Sequence, residues 1–390
     1  MKHIFAAALI LAASSTASFT RDLFSVELTV DGATDQRSYS SLQQAADALT
    51  TDSLQSININ YTDVSAATAN INLRGVPAVA TYTANSPFLR IQVPGAGVDK
   101  TFTGTTRDDS QDQFVRWLQG AGGSDVTRIL QLAVATTPID PVAGNPNSAM
   151  TQMSVSDFNR SLQSSFGERG GVGIGARFGS FSSAGYNSQN FTLPLDYSWR
   201  VTERDTLEVD VPFAYTDTQG ATSYSGNLGF LYRRQIFDVW SLQASGRFGG
   251  AGSVDLGSAT GLYGLGINSI LRFDLPMDLR LTIANGINYV ATLPVSLGRY
   301  TANYDIANTI FRNGVVLSRD LGMSIAGMPV MGSVFAIDTR FTGSEVFISN
   351  YQEFGAFVSA GRDSTFGLGF TVMTGDQGLS GFTINTGVKF

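Results

Sequence analysis

The sequence lacks residues on which many catalytic and metal sites depend. It contains no cysteine and a single histidine, His3, among 390 residues. The absence of cysteine excludes disulfides, thiol nucleophiles and cysteine-ligated metals. Charged residues are also scarce, at 15% of the chain, against about 25% in typical soluble proteins. No run of about 18 consecutive apolar residues occurs, so no transmembrane helix is predicted.

Glycine and aromatic residues are abundant instead. The chain has 42 glycines, 26 phenylalanines and 13 tyrosines. The formal net charge is -7 and no basic cluster is present, which argues against a nucleic-acid partner. Low charge combined with many glycines and aromatics favours alternating polar and apolar residues over long apolar blocks.

The first residues have the pattern of a secretory signal peptide. Lys2 and His3 precede an apolar run over 4–13, and small residues follow it. We predict a signal peptide over 1–18, cleaved after Ala17 or Ser18. Its removal would take away the only histidine, which excludes Ser–His–Asp and histidine–metal chemistry. We therefore expect an exported protein that is not an enzyme and that needs no cofactor or metal.

Residues 19–135 are predicted to form a small soluble α+β domain. Apolar residues have helical spacing at 41–49, 106–123 and 125–135. Short alternating segments predict strands at 56–61, 69–75, 79–84 and 87–93. Residues 136–169 combine prolines and glycines with a weak helical pattern, which indicates a linker that could also form a plug or a linker helix.

Residues 170–390 have the period-2 alternation of long β-strands. In FTLPLDYSWR (191–200), apolar and aromatic residues occupy one face and polar residues the other. Short turns and longer Gly/Ser/Asn-rich loops alternate between about twelve such runs, an even number. Strands of a soluble β-sandwich are shorter, and a propeller would show an internal repeat. This region therefore predicts an all-β fold, a closed antiparallel transmembrane β-barrel.

The final segment, GFTINTGVKF, alternates to its last residue. Phe382, Ile384, Val388 and Phe390 share one parity, which Thr386 interrupts mildly. The pattern resembles the C-terminal insertion signal of Gram-negative outer-membrane β-barrel proteins. The resemblance covers the signal peptide and the region from 170 onward. It implies an outer-membrane location, contact with outer-membrane lipid, and assembly by the barrel-assembly machinery.

A region placed before a barrel of about twelve strands also resembles the layout of autotransporters. In that family a linker helix threads the pore. Nothing in residues 150–166 demands such a helix. We therefore expect the N-terminal domain in the periplasm, because a barrel whose N-terminus already lies there needs no threading.

The two faces of the barrel strands are expected to meet lipid and lumen. The predicted lipid-facing residues are Phe191, Leu193, Leu195, Val209 and Val211. The predicted lumen-lining residues are Asp196, Arg200, Glu208, Asp210, Arg247, Arg272, Arg280, Asp338, Arg340 and Lys389. Charges of both signs fit either interior ion pairs or a channel that selects solutes. Glu208 and Asp210 could serve as an acid–base pair, but ion pairing explains them better.

Three functions remain open from the sequence. The favoured one is a channel for small solutes, with periplasmic partners binding through the N-terminal domain. The second is an autotransporter-like translocator or secretion pore whose N-terminal region is cargo or plug. The third is a structural or adhesive outer-membrane anchor.

Overall fold

The fold is described from a computed structural model. It covers residues 21–163, 171–297, 300–325, 327–361 and 366–389, so the predicted signal peptide and Phe390 lie outside the described residues. Within these ranges, a small α+β domain precedes a closed antiparallel barrel of twelve strands. The fold class predicted from the sequence is confirmed.

The N-terminal domain is built on an antiparallel sheet. Its described strands are β1 Phe24–Val30, β2 Ala33–Tyr39, β3 Ala67–Leu73, β4 Val76–Tyr82, β5 Leu89–Val93 and β6 Val98–Phe102. They are ordered β2-β1-β3-β4-β5-β6. One face buries alternate apolar residues such as Val26, Leu28 and Ile91. The opposite face is polar and carries Glu27 and Asn70, which are hydrogen-bonded to each other.

Helices cover the apolar face of this sheet. Their bounds are α1 Leu42–Asp47, α2 Thr51–Ile57, α3 Arg107–Arg116 and α4 Ser124–Thr136. The Thr106 side chain accepts a hydrogen bond from the backbone N–H of Asp109 and caps α3. Phe114 and Ile129, from α3 and α4, pack into the same core as the sheet. The strand predicted at 56–61 is wrong, because α2 ends at Ile57 and residues 58–61 form a turn.

The barrel strands are much longer than those of the N-terminal sheet. They are β7 Gly171–Ser183, β8 Tyr186–Arg200, β9 Asp205–Thr218, β10 Ala221–Phe237, β11 Trp240–Ser253, β12 Ser258–Leu275, β13 Leu279–Leu293, β16 Ala307–Ile325, β17 Met328–Gly343, β18 Asn350–Ala360, β19 Phe366–Gly375 and β20 Ser380–Lys389. A separate hairpin of β14 Val295–Leu297 and β15 Tyr300–Ala302 lies between β13 and β16. The barrel closes where β20 pairs with β7, placing Ile384 opposite Phe178.

Residues of each barrel strand alternate between the outside and the inside. In β8, Phe191, Leu193 and Tyr197 are exposed, whereas Thr192 and Ser198 are buried. Outward aromatic pairs lie near both ends of the strands, namely Tyr197–Trp199, Phe237–Trp240, Tyr215–Tyr224 and Tyr263–Tyr289. An apolar outer belt between aromatic residues is the surface that a lipid-embedded barrel needs.

The two ends of the barrel differ. We call the end where β7 begins and β20 ends the terminal end; there Gly173 pairs with Lys389. We call the other end the domain end, and it carries the long connections 294–306 and 344–349. The Gly/Ser/Asn-rich segments 182–189 and 217–223 are expected from the sequence to form longer loops, but each contains only a tight two-residue turn, in which Ala184 and Gln219 adopt φ of 53°. Their polar flanks therefore continue the strands.

The N-terminal domain lies at the domain end. The Leu42 N–H donates to the Asp255 carbonyl at 2.8 Å, and the Phe347 N–H donates to the Val134 carbonyl at 2.9 Å. Asp255 and Phe347 both belong to connections at that end. Strand β7, however, begins at the terminal end, so the chain crosses the barrel before its first strand. The expectation that no threading occurs is therefore wrong.

Candidate functional site

The lumen of the barrel holds a fifth helix, α5, which spans Ala149–Gln163. Three of its apolar residues are fully enclosed: Met150, Met153 and Phe158 are each at most 1% exposed. Met150 and Met153 pack with Leu262 and Val290, which face inward near the domain end. The helix then continues toward the terminal end. It is the segment by which the chain threads the barrel.

A buried arginine of the wall joins α5 to a second strand. Arg247 of β11 donates through Nε to Asp157 of α5 and through Nη1 to Asp210 of β9 at 3.0 Å. Its Nη1 also donates to Asn227 Oδ1 at 2.7 Å. All three charged side chains are almost completely buried. One positive charge thus lies between two carboxylates, one from the helix and one from the wall.

In a second ion-pair group, the arginine belongs to α5 and the carboxylates belong to the wall. Arg160 of α5 lies 2.7 Å from Asp196 of β8 and 3.2 Å from Glu208 of β9. These distances are those of charge-assisted contacts. Since Asp196 and Glu208 lie near the terminal end of their strands, this group fixes the last turns of α5. Together the two groups hold α5 to the wall through one negative side chain, Asp157, and one positive side chain, Arg160.

A third contact combines charge with apolar packing. Arg312 of β16 is fully buried, donates to Glu353 and to the Tyr351 hydroxyl, and lies over the Phe158 ring at 5.3 Å. Ala284 and Ile337 complete the apolar pocket around Phe158. Phe158 therefore meets a buried charge and apolar side chains of the lumen wall at the same level.

Glycine makes room for this ring. A Cβ on Gly286 would lie 3.0 Å from Cδ2 of Phe158, and one on Gly314 would lie 3.1 Å from its Cε1. Both distances are tighter than ordinary carbon–carbon contacts. The wall and the helix are thus shaped for each other at this level.

The N-terminal domain and residues 137–148 close the domain end. Asp140 accepts hydrogen bonds from Arg74 Nη1 at 3.1 Å and from the Tyr304 hydroxyl at 3.0 Å. Burial raises the pKa of the Asp140 carboxyl, and the Arg74 guanidinium opposes that rise. Arg74 also donates to Ser258 at 2.6 Å, which links the domain to the start of β12.

A cavity remains beside α5, toward the terminal end. Its volume is about 360 Å³, and polar and charged residues of both signs line it. They include Asn159, Arg177, Arg200, Glu208, Arg233 and Asn385. The lumen is thus filled near the domain end and partly open near the terminal end.

The structure brings several predicted lumen residues together inside the barrel. Asp196, Glu208, Asp210 and Arg247 all meet α5, directly or through one another. Arg200 and Arg272 line the cavity. Two further residues, Arg280 and Asp274, share the inward parity near the terminal end and pair with each other at 2.8 Å.

Two predicted lumen residues lie on the wrong face. Asp338 and Arg340 of β17 point outward, because Ile337 and Thr339 are the buried residues of that strand. The prediction assumed that the more polar of the two faces of a strand always points into the lumen. Here α5 presents Phe158 to the wall, and the inward face of β17 contacts it with the apolar residues Phe335 and Ile337, while the charged residues lie outside. The side chain of Lys389 lies outside the described residues.

The predicted outward residues can also be located. Phe191 and Leu193 are exposed, and Leu195, Val209 and Val211 are half-buried. In β20, Ile384 is exposed, Phe382 and Val388 are half-buried, and Thr383 is buried inside. The apolar parity of β20 is therefore its outer face.

Sequence reasoning missed several buried charges. Asp157 and Arg160 were passed over because α5 showed only a weak helical pattern, and Arg312 because it alternates with Ile310 and Gly314. A charged residue in the middle of an otherwise apolar strand is the signal that could have identified Arg312. Arg177, whose Nη1 donates to Gln152 of α5 at 3.2 Å, could have been found in the same way.

Within the described ranges, no group of three or more acidic or histidine side chains is placed to hold a metal ion. In the same ranges, no helix has both the length and the apolar character needed to cross a membrane.

Comparisons with known proteins agree with the architecture. No protein-family model matches the chain, and no curated protein is similar to it in sequence. Among solved structures, the β domain of the Bordetella autotransporter Brka is 16% identical with a TM-score of 0.45, over 57% of this chain and 99% of that chain. The translocator domain of autotransporter NalP from Neisseria meningitidis is 13% identical with a TM-score of 0.43, over 62% and 98%.

An outer membrane channel from Pseudomonas putida F1 is 9% identical with a TM-score of 0.40, over 57% of this chain and 96% of that chain. Among the described residues, the part of the fold that these structures share is the closed antiparallel β-barrel. At these identities and scores, the shared feature is the barrel itself.

Proposed function

We propose that this protein is an outer-membrane translocator that carries its own N-terminal domain through the barrel and displays it on the cell surface. The observation that carries the proposal is the path of the chain. The N-terminal domain lies at the domain end, α5 fills the lumen, and β7 begins at the terminal end. A chain with this path has crossed its own barrel.

The side of the membrane follows from the connections. Bacterial outer-membrane barrels have short periplasmic turns and longer outer loops. The longest connections, 294–306 and 344–349, lie at the domain end. The terminal end would then face the periplasm and the N-terminal domain would lie outside. This proposal replaces the expectation of a periplasmic domain, and with it that of periplasmic partners.

The chemistry of the lumen supports passage of a polypeptide. The wall of the lumen carries both acidic residues and arginines, and Asp157 and Arg160 of α5 form ion pairs with them. Asn268 and Asn288 are buried in the wall, yet their side-chain amides have no hydrogen-bond partner among the described residues. An unpaired polar group that is buried in a folded protein calls for an explanation, such as a bound water or a functional role. A polar wall of this kind can hydrate a moving chain before α5 occupies its final place.

A fusion experiment tests translocation. A small reporter domain placed ahead of residue 21 should be detected on intact cells, because it would follow the N-terminal domain through the barrel. A reporter closed by its own disulfide should stall, and since the chain contains no cysteine, that disulfide would be unique. A reporter that stays protected on the inner side, while the barrel assembles normally, would contradict the proposal.

A channel for small solutes is the second candidate, and the cavity beside α5 favours it. The cavity has charges of both signs, as a selective vestibule would. Conduction through the whole barrel would require α5 to leave the lumen. The third function from the sequence, an anchor, becomes part of the first proposal, since the barrel would anchor the displayed domain.

A further inference from the structure

The outer face of the barrel carries a row of polar side chains across four neighbouring strands. Asn285 of β13 lies opposite Asn313 of β16, which lies opposite Asp338 of β17. Asp338 in turn lies opposite Gln352 of β18. We call these four residues the polar row.

The polar row faces outward. Its neighbours along the strands, Ala284, Arg312, Thr339 and Glu353, are buried on the inner side of the wall. Arg340, the next outward residue of β17, lies beside the row, and its side chain is 67% exposed. These side chains therefore meet whatever surrounds the barrel.

The residues of the row bond to one another. Asn285 Nδ2 donates to Asn313 Oδ1 at 2.7 Å. Asp338 accepts from Gln352 Nε2 at 2.8 Å and from Arg340 Nε at 2.9 Å. The Asp338 and Arg340 charges cancel, so the surface as a whole is neutral.

The row lies within the apolar belt. On one side of the Asn285–Asn313 pair, Ile287 lies opposite Phe311, and on the other side Ile283 lies opposite Val315. Ile287 is 54% exposed and Val315 is 46% exposed. Two asparagines are thus surrounded by side chains that suit hydrocarbon. Charged side chains on a lipid-facing strand cost free energy that increases toward the membrane centre.

The hydrogen bonds within the row leave one acceptor atom and one donor atom of its asparagines without a partner. Each asparagine amide offers two donor hydrogens and an acceptor oxygen. Among the described residues, Asn285 Oδ1 and Asn313 Nδ2 have no hydrogen-bond partner. Hydrocarbon cannot supply one. Polar residues within a membrane characteristically lie at contacts between protein surfaces.

We propose that the polar row is a contact surface for a second copy of this chain within the membrane. Two copies inserted in the same direction present the row at the same depth. Amides both donate and accept, and the neutral Asp338–Arg340 pair requires no partner of opposite charge, so the surface is complementary to itself. A two-fold interface has this property. The apolar residues beside the row, including Val334 and Phe354, would be covered in the same contact.

Cross-linking of single-cysteine variants tests the inference. The full chain has no cysteine, so Asn313→Cys places a unique thiol in the row. Leu193→Cys is the matched control, because Leu193 is also exposed but belongs to β8 on the opposite side of the ring. In phospholipid vesicles holding only the purified protein, oxidation should give a covalent dimer for Asn313→Cys and little for Leu193→Cys.

A second measurement removes the polar groups and keeps a reporter thiol. Val315→Cys should cross-link in the otherwise unchanged chain, and its dimer yield should fall roughly tenfold when Asn285→Leu and Asn313→Leu are added. The barrel should still assemble, as judged by heat-dependent gel mobility, because leucine suits the belt. Equal cross-linking at positions 313 and 193, no dimer at position 313, or an undiminished yield in the leucine variant would overturn the inference. Cross-linking in cells to a different protein, without a dimer in vesicles, would also overturn it.

Neither result depends on translocation. A chain that displays its domain but remains a monomer would refute only the contact surface. A dimer whose N-terminal domain stays inside would refute only the proposed function.

Discussion

At the residue scale, the charges inside the barrel matter because they are removed from water in pairs. Arg247 is 4% exposed and lies between two carboxylates, one of which belongs to α5. Breaking a buried pair from one side leaves an uncompensated charge, which costs more than the pair contributes. The arrangement therefore fixes α5 in one position more than it adds stability.

Arg247→Ala should be strongly destabilising. It leaves Asp157 and Asp210 buried without a counter-charge, so the free energy of unfolding should fall by about 3–5 kcal/mol. Urea titration of the detergent-solubilised protein measures this change. The matched control is Arg234→Ala, since Arg234 is exposed and pairs with Asp205 at 3.5 Å. Equal effects of the two substitutions would contradict the buried network.

The two faces of a single strand should respond differently to charge. Leu193→Arg places a guanidinium on the outer belt near the middle of β8, at a cost of roughly 2–4 kcal/mol. Ser198→Arg places the same group beside the cavity. We expect the first to reduce the amount of assembled barrel in outer-membrane fractions and the second to reduce it much less. Similar losses for both would refute the assignment of the faces.

The alternation of polar and apolar residues along a strand indicates its lumen-facing residues only where the lumen itself is polar. Asp196 and Glu208 lie beside α5, where Arg160 pairs with both. Asp338 was placed on the wrong face because Phe158 of α5 makes the wall apolar at Ile337. The chemistry of the inner face depends on the occupant of the lumen, and a strand taken alone carries no information about that occupant.

At the element scale, the strands were predictable and the connections between them less so. A long run of alternating polar and apolar residues predicts a β-strand in a wall that is polar on one face and apolar on the other. The β1–β2 hairpin was missed although its signal is present: alternating apolar residues followed by Asp31 and Gly32. The segment 56–61 was misassigned because its alternation covers only six residues, too few to separate a strand from the end of α2.

Helix α5 should act as the closure of the pore. Replacing Ala149–Gln163 by a flexible Gly/Ser segment of equal length removes Phe158 and both ion-pair groups, so the lumen should open to ions. Planar-bilayer recordings should then show larger and longer conductance steps than those of the unchanged chain. Unchanged recordings would mean that α5 does not obstruct the lumen.

At the scale of the whole molecule, the path of the chain is the feature that the sequence did not show. The charged partners of α5 include Asp196, Glu208 and Arg247, which belong to three different strands that come later in the sequence. No local sequence pattern indicates that these residues contact α5, which is only weakly amphipathic. The domain contacts at Asp140 and Tyr304 are similarly remote from each other in sequence. Threading arises from such long-range pairs, so it becomes visible only in three dimensions.

The measurement that tests this account most directly is the labelling of two single-cysteine variants on intact cells. Ile59→Cys lies on the N-terminal domain, where Ile59 is 87% exposed, and Asp238→Cys lies in a turn at the terminal end. A maleimide that cannot cross the outer membrane should label position 59 on intact cells and position 238 only after permeabilisation. Protection of position 59 on intact cells, with labelling after permeabilisation, would contradict the account.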